Sequence, residues 1–458
     1  MQNDNSLLHG KVGPALLRFA LPFLAASLLQ QLYGTVDTVA VGRLSADAAA
    51  GLSAISTGAQ ITYMATTLVI GLATGGTVLI GQYVGSGQKE NIRRTIGTMF
   101  PLFGLVGLII SALLASCAGP IVRLMQVPQA AVSSARQYLV ICGVGMLFVT
   151  GYNMVSGILR GLGDSKTPML LVAIACVINI AGDIVLVGPL QMGAAGAALA
   201  TVFAQGFSFL FSLVILHRRK DFPLRFHWRS FALQREQARL LLRLGVPVAL
   251  QDFCIGISFA LISAFVNRLG LEQSACVGAS SRVSTIAMLV STAFMSAIAA
   301  MAAQNVGNGQ PKRAEQAMRW GMLVSAVISF AAFLLVELFP AQILRFFIED
   351  PAVIAQGVLY TRTNIIDVAL VPFVFCMNGF FSGCGHTTFS MTNNLISTFG
   401  VRVAGTLLIT LIPGTTMLHI GLAAPAASLV QIVIQLVYLA SGRWRKSIMP
   451  SDCEQAGE

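Results

Sequence analysis

GQYVGSGQKE at residues 81–90 returns as AQNVGNGQPK at 303–312, 222 positions later. GILRGLG at 157–163 returns as GFFSGCG at 379–385, and Tyr138 as Tyr360, both at the same offset. LRFALP at 17–22 and LRLGVP at 242–247 each open an apolar run. One constant offset across three motifs marks a duplicated chain. Around these motifs lie apolar stretches of about 20 residues or more, the length that crosses a bilayer. They fall at 14–41, 52–81, 95–118, 130–159, 168–188 and 193–216, then at 241–267, 276–304, 319–344, 352–382, 388–413 and 418–442. Each half holds an even number of spans, so both halves insert in the same direction, and the axis relating them runs along the membrane normal. The expected fold is an all-α membrane protein of twelve transmembrane helices in two six-helix bundles with pseudo-twofold symmetry. Residues 1–216 form the N-terminal bundle, 217–240 a cytoplasmic connector, and 241–458 the C-terminal bundle with a short tail.

Composition agrees. Of 458 residues, 55% are hydrophobic and only 10% charged, and mean hydropathy is +0.78. A soluble domain carries about 25% charged residues because its surface must face water; hydrocarbon removes that need. The net charge of +11 points to nucleic acid only until the positions are read. With both termini placed in the cytoplasm, 21 of the 29 Lys and Arg fall in inner loops, tails and the connector, and five in outer loops: Arg43, Arg123, Arg136, Arg268 and Arg345. Arg282, Arg362 and Arg402 remain within spans. This is the positive-inside pattern of a plasma (inner) membrane protein, and no nucleic-acid role is expected. The connector, HRRKDFPLRFHWRSFALQREQARLLLR at 217–243, mixes basic residues with Phe and Trp and reads as an amphipathic segment on the inner membrane face. The first apolar stretch is too long for a signal h-region and is expected to be retained. The eight cysteines have no CxxC pairing or neighbouring His cluster and read as packing residues.

Intramembrane carboxylates are costly and mark function. Four sit well inside spans: Asp37, Asp183, Asp252 and Asp367; Glu337 lies near a helix end and can reach the interface. Asp37 follows Pro22 by fifteen residues, about 22 Å of rise, which places it in the outer half of its helix. Asn179 and Asp183 are i and i+4 on the fifth helix and share a face, with Asp183 about 8 Å from the outer end. Thr201 lies roughly 12 Å down the sixth helix, and Tyr138 at a similar depth on the fourth. Two carboxylates with an amide and hydroxyls can ligate a hard monovalent cation through oxygen or share protons, as buried like-charge pairs do. The structural alternative is a hydrogen-bonded patch that fixes helix packing.

LLQQLYGTVDTVAVGRL at 28–44, VGSGQ at 84–88 and LRGLGDSKTPM at 159–169 resemble signatures of the multidrug and toxic compound extrusion (MATE) family, and the resemblance runs the whole length of the chain. In the family's DinF-like branch it implies an N-lobe cation or proton site formed by Asp37, Asn179, Asp183, Thr201 and Tyr138. It also implies a first helix that bends on protonation, with Pro22 as the flexure, and cavity-lining roles for Gln30 and Asn153. The other branch uses C-lobe carboxylates, for which Asp252 and Asp367 are the available residues; Asp367 has Arg362 five positions before it, so an ion pair competes with a coupling role. Arg402 calls for a buried partner that sequence does not name.

No GxxxxGK[ST] is present, so an in-chain nucleotide site is excluded, and no HExxH or GxSxG occurs. An enzyme using the Asp pair as general acid and base has no supporting motif, and a lipid-linked saccharide flippase calls for basic rather than acidic cavity residues. The expected function is export of amphiphilic, often cationic, organic compounds by alternating access in exchange for H⁺ or Na⁺. The working unit is a monomer in the lipid bilayer, with a small organic substrate and no cofactor beyond the coupling ion. At the repeat offsets, 222 for the later motifs and 225 for the LRFALP and LRLGVP openings, Asp183 meets Gly405, Asn179 meets Val401, and Asp37 falls near Ile262; the coupling site is expected in the N-terminal half alone.

Overall fold

The computed structural model describes residues 7–45, 47–219, 222–223, 231–347 and 350–445. Every regular element among them is helical: α1 Val12–Leu44, α2 Ala48–Ser86, α3 Lys89–Leu124, α4 Gln129–Gly161, α5 Lys166–Val187, α6 Gly193–Arg218, α7 Arg235–Asn267, α8 Leu271–Gly307, α9 Pro311–Leu338, the short α10 Pro340–Leu344, α11 Pro351–Asn364, α12 Ile366–Gly383, α13 Thr387–Leu395, α14 Ala404–Leu411, α15 Met417–Gly421 and α16 Ala423–Ala440. A π-helical segment, Ile396–Val403, joins α13 to α14. Twelve spans result, the last three each assembled from shorter helices.

Several helices outrun the apolar stretches that announce them. α3 starts at Lys89 rather than near 95, because its charged first turn stays helical beyond the hydrocarbon and is closed by the i,i+4 pair Glu90–Arg94 at 3.3 Å. α7 starts at Arg235, which takes the end of the basic connector into the helix. What is described of the connector is bonded to α2 and α3: Arg93 Nε donates to the Pro223 carbonyl at 2.8 Å, Thr95 Oγ1 to Gln237 Oε1 at 2.9 Å, and Phe231 packs edge-on to Phe100. Residues 220–221 and 224–230, the middle of the expected amphipathic segment, lie outside the described residues, as does Cys453. The seven described cysteines are unpaired and five of them are buried.

The repeated glycine motifs are helix stops and helix contacts. Gly87 and Gly309, 222 apart, both take positive φ (74° and 70°), as do Gly163 and Gly385 (88° and 94°). At each, two bonds close a Schellman cap: Gln88 N to Tyr83 O and Gly87 N to Val84 O, repeated as Gln310 N to Asn305 O and Gly309 N to Val306 O. Asp164 N to Leu159 O is likewise repeated as His386 N to Phe381 O. One turn earlier the small residues serve close approach. A methyl group on Gly157 of α4 would stand 2.8 Å from the Ala73 carbonyl of α2, and one on Gly379 of α12 stands 2.4 Å from the Met295 carbonyl of α8. Ala73 and Met295 are themselves 222 apart.

The helices sort into two compact units. One holds Ala25–Ala249; the other holds the described residues up to Leu24 and those from Leu250 on. The units therefore depart from the six-plus-six division of the chain at two places: α1 begins in the second unit, and α7 begins in the first. Both transfers lie within three residues of a proline, Pro22 and Pro247. The chain before α1 is tied to the second unit by Arg313, which donates to the His9 and Gly10 carbonyls at 2.9 and 2.8 Å, and by Asn305, which donates to Leu7 O at 3.0 Å. Leu16 and Phe19 then enter a core with Phe294, Ile298, Met301 and Phe380. In the first unit, Val41 of α1, Ile55 of α2, Leu139 of α4, Val187 of α5 and Ala197 of α6 share a core. In the turn between α4 and α5, Asp164 accepts from both Thr167 donors and from Arg219 Nη2. Burial alone raises the pKa of this carboxyl, but those donors outweigh it and hold the group below the usual carboxylate range.

Candidate cation site

The buried face of α5 runs Val172, Ala175, Cys176, Asn179, Asp183 and Val187, steps of three and four that set two polar residues into an apolar stripe. α6 approaches that face closely because the residues between them are small: a methyl group on Gly182 would lie 2.9 Å from Ala200 Cβ. Thr201, next along α6, is thereby brought to Asn179, whose Nδ2 donates to Thr201 Oγ1 at 3.3 Å. Thr201 Oγ1 in turn donates to Asp37 Oδ2 at 3.3 Å. Asp37 also meets the Asp183 carboxyl and the Asn179 amide. Asn179 and Asp183 are almost completely buried, at 2% and 0% exposure, and Asp37 at 7%.

The donor count around these groups is the decisive feature. Asp37 Oδ1, Asn179 Oδ1 and both Asp183 carboxyl oxygens are buried and have no hydrogen-bond partner among the described residues. Neither Lys nor Arg contributes to the surroundings of either carboxyl. Two facing carboxyls with spare lone pairs and no resident cation cannot both stay ionised in a dry interior, since each uncompensated buried charge costs several kcal/mol. A shared proton or a bound hard monovalent cation relieves the arrangement, and the oxygen-only donor set suits the latter. Na⁺ therefore fits these residues chemically.

Four of the five expected ligands converge. Tyr138 does not join them. Its hydroxyl pairs with Cys142, one turn along α4, and its ring lies against Gly58 of α2, where a methyl group would stand 2.2 Å from Cδ1. Tyr138 stays close enough for the Asp37 charge to act on it, but among the described residues it makes no hydrogen bond to either carboxyl. Two residues not singled out in the sequence stand beside the site instead. Tyr33, one turn before Asp37 on α1, bonds Gln205, one turn after Thr201 on α6. The i,i+4 spacings Tyr33–Asp37 and Thr201–Gln205 are the signal that identifies them.

Of the other candidates, Gln30 is exposed on α1, and Asn153 donates to its own helix at Val149 O, 2.8 Å away. Asp252 on α7 bonds its neighbour Gln251. Arg362 does not pair with Asp367; it reaches Glu337 at 3.7 Å. Asp367 accepts from Ser428 Oγ, and Arg402 stacks its guanidinium on the Phe259 ring at 4.4 Å without forming an ion pair among the described residues.

Comparison with known proteins places the fold and the family. The family model described as MatE matches residues 22–185 and again 247–408, one match for each half of the repeat. The chain is 29% identical over 448 residues to "Probable multidrug resistance protein YpnP" of Bacillus subtilis strain 168, covering 95% of this chain and 97% of that protein. It is 30% identical over 368 residues to "Probable multidrug resistance protein YoeA" of the same organism, covering 79% and 78%. Among solved structures, the "Outward-facing conformation of a multidrug resistance MATE family transporter of the MOP superfamily" superposes with a TM-score of 0.88 at 21% identity, over 96% of this chain and 98% of that one.

Proposed function

The chain belongs to the MatE family of membrane transporters, and from that premise we propose that it is a secondary active exporter that expels amphiphilic, cationic organic compounds as H⁺ or Na⁺ moves inward. The observation that carries this reading is the buried carboxyl pair Asp37–Asp183, with no Lys or Arg beside it and three of its four oxygens without a hydrogen-bond donor, and with Asn179 and Thr201 as further oxygen and amide groups. A site that is strained when empty of positive charge and relaxed when a proton or Na⁺ enters it gives the ion a differential affinity for two states, which is the requirement for coupling. On this reading the protein works as a monomer in the plasma (inner) membrane, and the concentration of Lys and Arg in alternate loops supports both termini being cytoplasmic.

The test is efflux from proteoliposomes loaded with an amphiphilic organic cation, with pH and Na⁺ gradients imposed separately. At least one gradient is expected to drive release. Efflux that follows neither gradient overturns the coupling reading.

Pro22 is assigned the flexure in α1. It cannot donate to the helix ladder and frees the carbonyl one turn before it, and the chain changes unit at Leu24–Ala25. Alanine there restores a continuous helix, a gain of up to about 3 kcal/mol for the straight form. Pro22→Ala is expected to slow gradient-driven efflux without weakening substrate binding to the purified protein. Unchanged efflux removes Pro22 from the mechanism.

A further inference from the structure

The last span of the second unit carries four polar side chains in an otherwise apolar sequence. In α16, AAPAASLVQIVIQLVYLA, they are Ser428, Gln431, Gln435 and Tyr438, steps of three, four and three that put them on one helix face. Leu429, Val433, Leu436 and Val437 on the remaining surface are each more than half exposed, as residues toward hydrocarbon should be.

Every level of the polar stripe is tied to a neighbouring segment of the same unit. Ser428 Oγ donates to Asp367 of α12, which lies at the middle of the tenth span, Pro351–Gly383. Asn393 Nδ2 of α13 donates to the Gln431 carbonyl at 3.3 Å, and Gln435 Nε2 donates to the Val374 carbonyl of α12 at 3.3 Å. Tyr438 Oη stands 3.0 Å from His386 Nδ1. His386 falls in the turn between the tenth and eleventh spans, which is the membrane surface. A polar seam between α12, α13 and α16 thus runs from a carboxyl at mid-span to the edge of the bilayer.

The bonds along the seam leave six buried polar atoms without partners among the described residues. Asn378 Oδ1, Asn393 Oδ1 and Gln435 Oε1 are acceptors, Gln431 Nε2 is a donor, and the hydroxyls of Ser390 and Ser397 can be either. Ser390 and Ser397 stand three before and four after Asn393 and so share its face. Buried polar atoms in proteins are nearly always satisfied, by protein or by ordered water. A metal cation would satisfy the acceptors and leave the Gln431 amide N–H unbonded. Water both donates and accepts, and a buried water makes about three bonds to such groups.

The spacing fits water as well. Residues three or four apart on a helix are separated by about 4.5–6 Å of rise, and one water making two bonds of about 2.8 Å spans such a gap.

We propose that this seam holds a file of ordered water molecules from His386 to Asp367, through which the carboxyl exchanges its proton with the membrane surface. A proton enters the file at one end and another leaves at the other, each water accepting one and releasing one, so no charge is left on the file. Gln431, Gln435 and Asn393 orient the waters and do not themselves titrate. The inference is independent of the export reading, since it concerns proton access to one carboxyl whatever that carboxyl does.

The test follows hydrogen–deuterium exchange of that carboxyl in the full-length protein in lipid nanodiscs. The carboxylic acid C=O stretch is recorded by infrared spectroscopy across a pH series, and the band lost in Asp367→Asn identifies the group. On transfer to D₂O the band is expected to shift as fast as the solvent mixes. In Gln431→Leu/Gln435→Leu the shift is expected to be at least tenfold slower, with the other carboxyl bands unchanged. Leucine removes the unpaired amides at similar volume, so the melting temperature is expected to hold; looser packing would speed the exchange, not slow it. An experimental structure of the unsubstituted protein that resolves ordered solvent is the second measurement, with water expected on Gln431 Nε2 and Gln435 Oε1, and it decides the matter where the leucine pair yields no folded protein. Direct amide-to-amide contacts with no water between them, an Asp367 band that appears at no pH, or equal exchange in the leucine pair overturns the proposal.

Discussion

Asp37→Asn loses gradient-driven efflux and keeps the fold. Asparagine preserves the volume of the side chain and its contact with Thr201 Oγ1, now 3.3 Å away, so the helices have no reason to separate. What disappears is one of two facing carboxyls. The remaining Asp183 can be satisfied by a single proton held without competition, and the site no longer cycles between an ion-loaded and an ion-free state. Coupling between two ligands is typically worth about 1–3 kcal/mol, or roughly 5- to 150-fold in affinity. The ratio of efflux with and without the gradient is expected to collapse by that order. Substrate binding measured at equilibrium, without a gradient, is expected to persist. Asp37→Asn with full ion-driven efflux in the same vesicles ends the assignment of this carboxyl to coupling.

Gly379→Ala destabilises the protein strongly, whereas Gly278→Ala does not. At Gly379 the added methyl meets the Met295 carbonyl at 2.4 Å, with the Met295 backbone carbon and Cα at 3.1 Å. Backbone cannot rotate out of the way as a side chain can, so α12 and α8 must move apart and lose the packing that holds them. Overpacking of this kind costs about 1–3 kcal/mol and sometimes more. The equivalent change at Gly157, against the Ala73 carbonyl at 2.8 Å, should act in the same direction and more mildly. Gly278 lies in α8 with nothing within 4 Å of the added methyl, so alanine there gains helix propensity of up to about 1 kcal/mol. Thermal melting of the three variants in detergent checks the order. Equal melting temperatures for Gly379→Ala and Gly278→Ala contradict the close contact.

Much of this was legible one residue at a time. Hydropathy finds spans because crossing hydrocarbon requires length and apolarity whatever the tertiary arrangement. The 222-residue offset carries through to the caps at Gly87 and Gly309 and to the contacts at Gly157 and Gly379, because a backbone that turns left-handed favours glycine and one that approaches within a methyl radius requires it. Asp37, Asn179, Asp183 and Thr201 could be brought to one level by counting rise along each helix. Glu90 and Arg94 kept α3 helical beyond its apolar core, an extension that hydropathy does not register because it ignores propensity and side-chain pairing.

Counting rise gives depth but not rotation. Tyr138 bonds Cys142 and packs on Gly58 rather than bonding a carboxyl, while Tyr33 and Gln205, never singled out, stand beside the site. The rotation of each helix is set by which small residues let which neighbours approach, as Gly182 and Ala200 do for α5 and α6, and that is a property of packing between segments far apart in the chain. The same holds for the second unit. The sequence by itself determined twelve helices, their duplication and the presence of a carboxyl pair within the spans, since each follows from local composition and spacing. Only the tertiary structure decided that Ser428 rather than Arg362 attends Asp367, and that α1 and α7 change unit beside their prolines. A few degrees of helix roll leave no trace in hydropathy yet change which side chains meet.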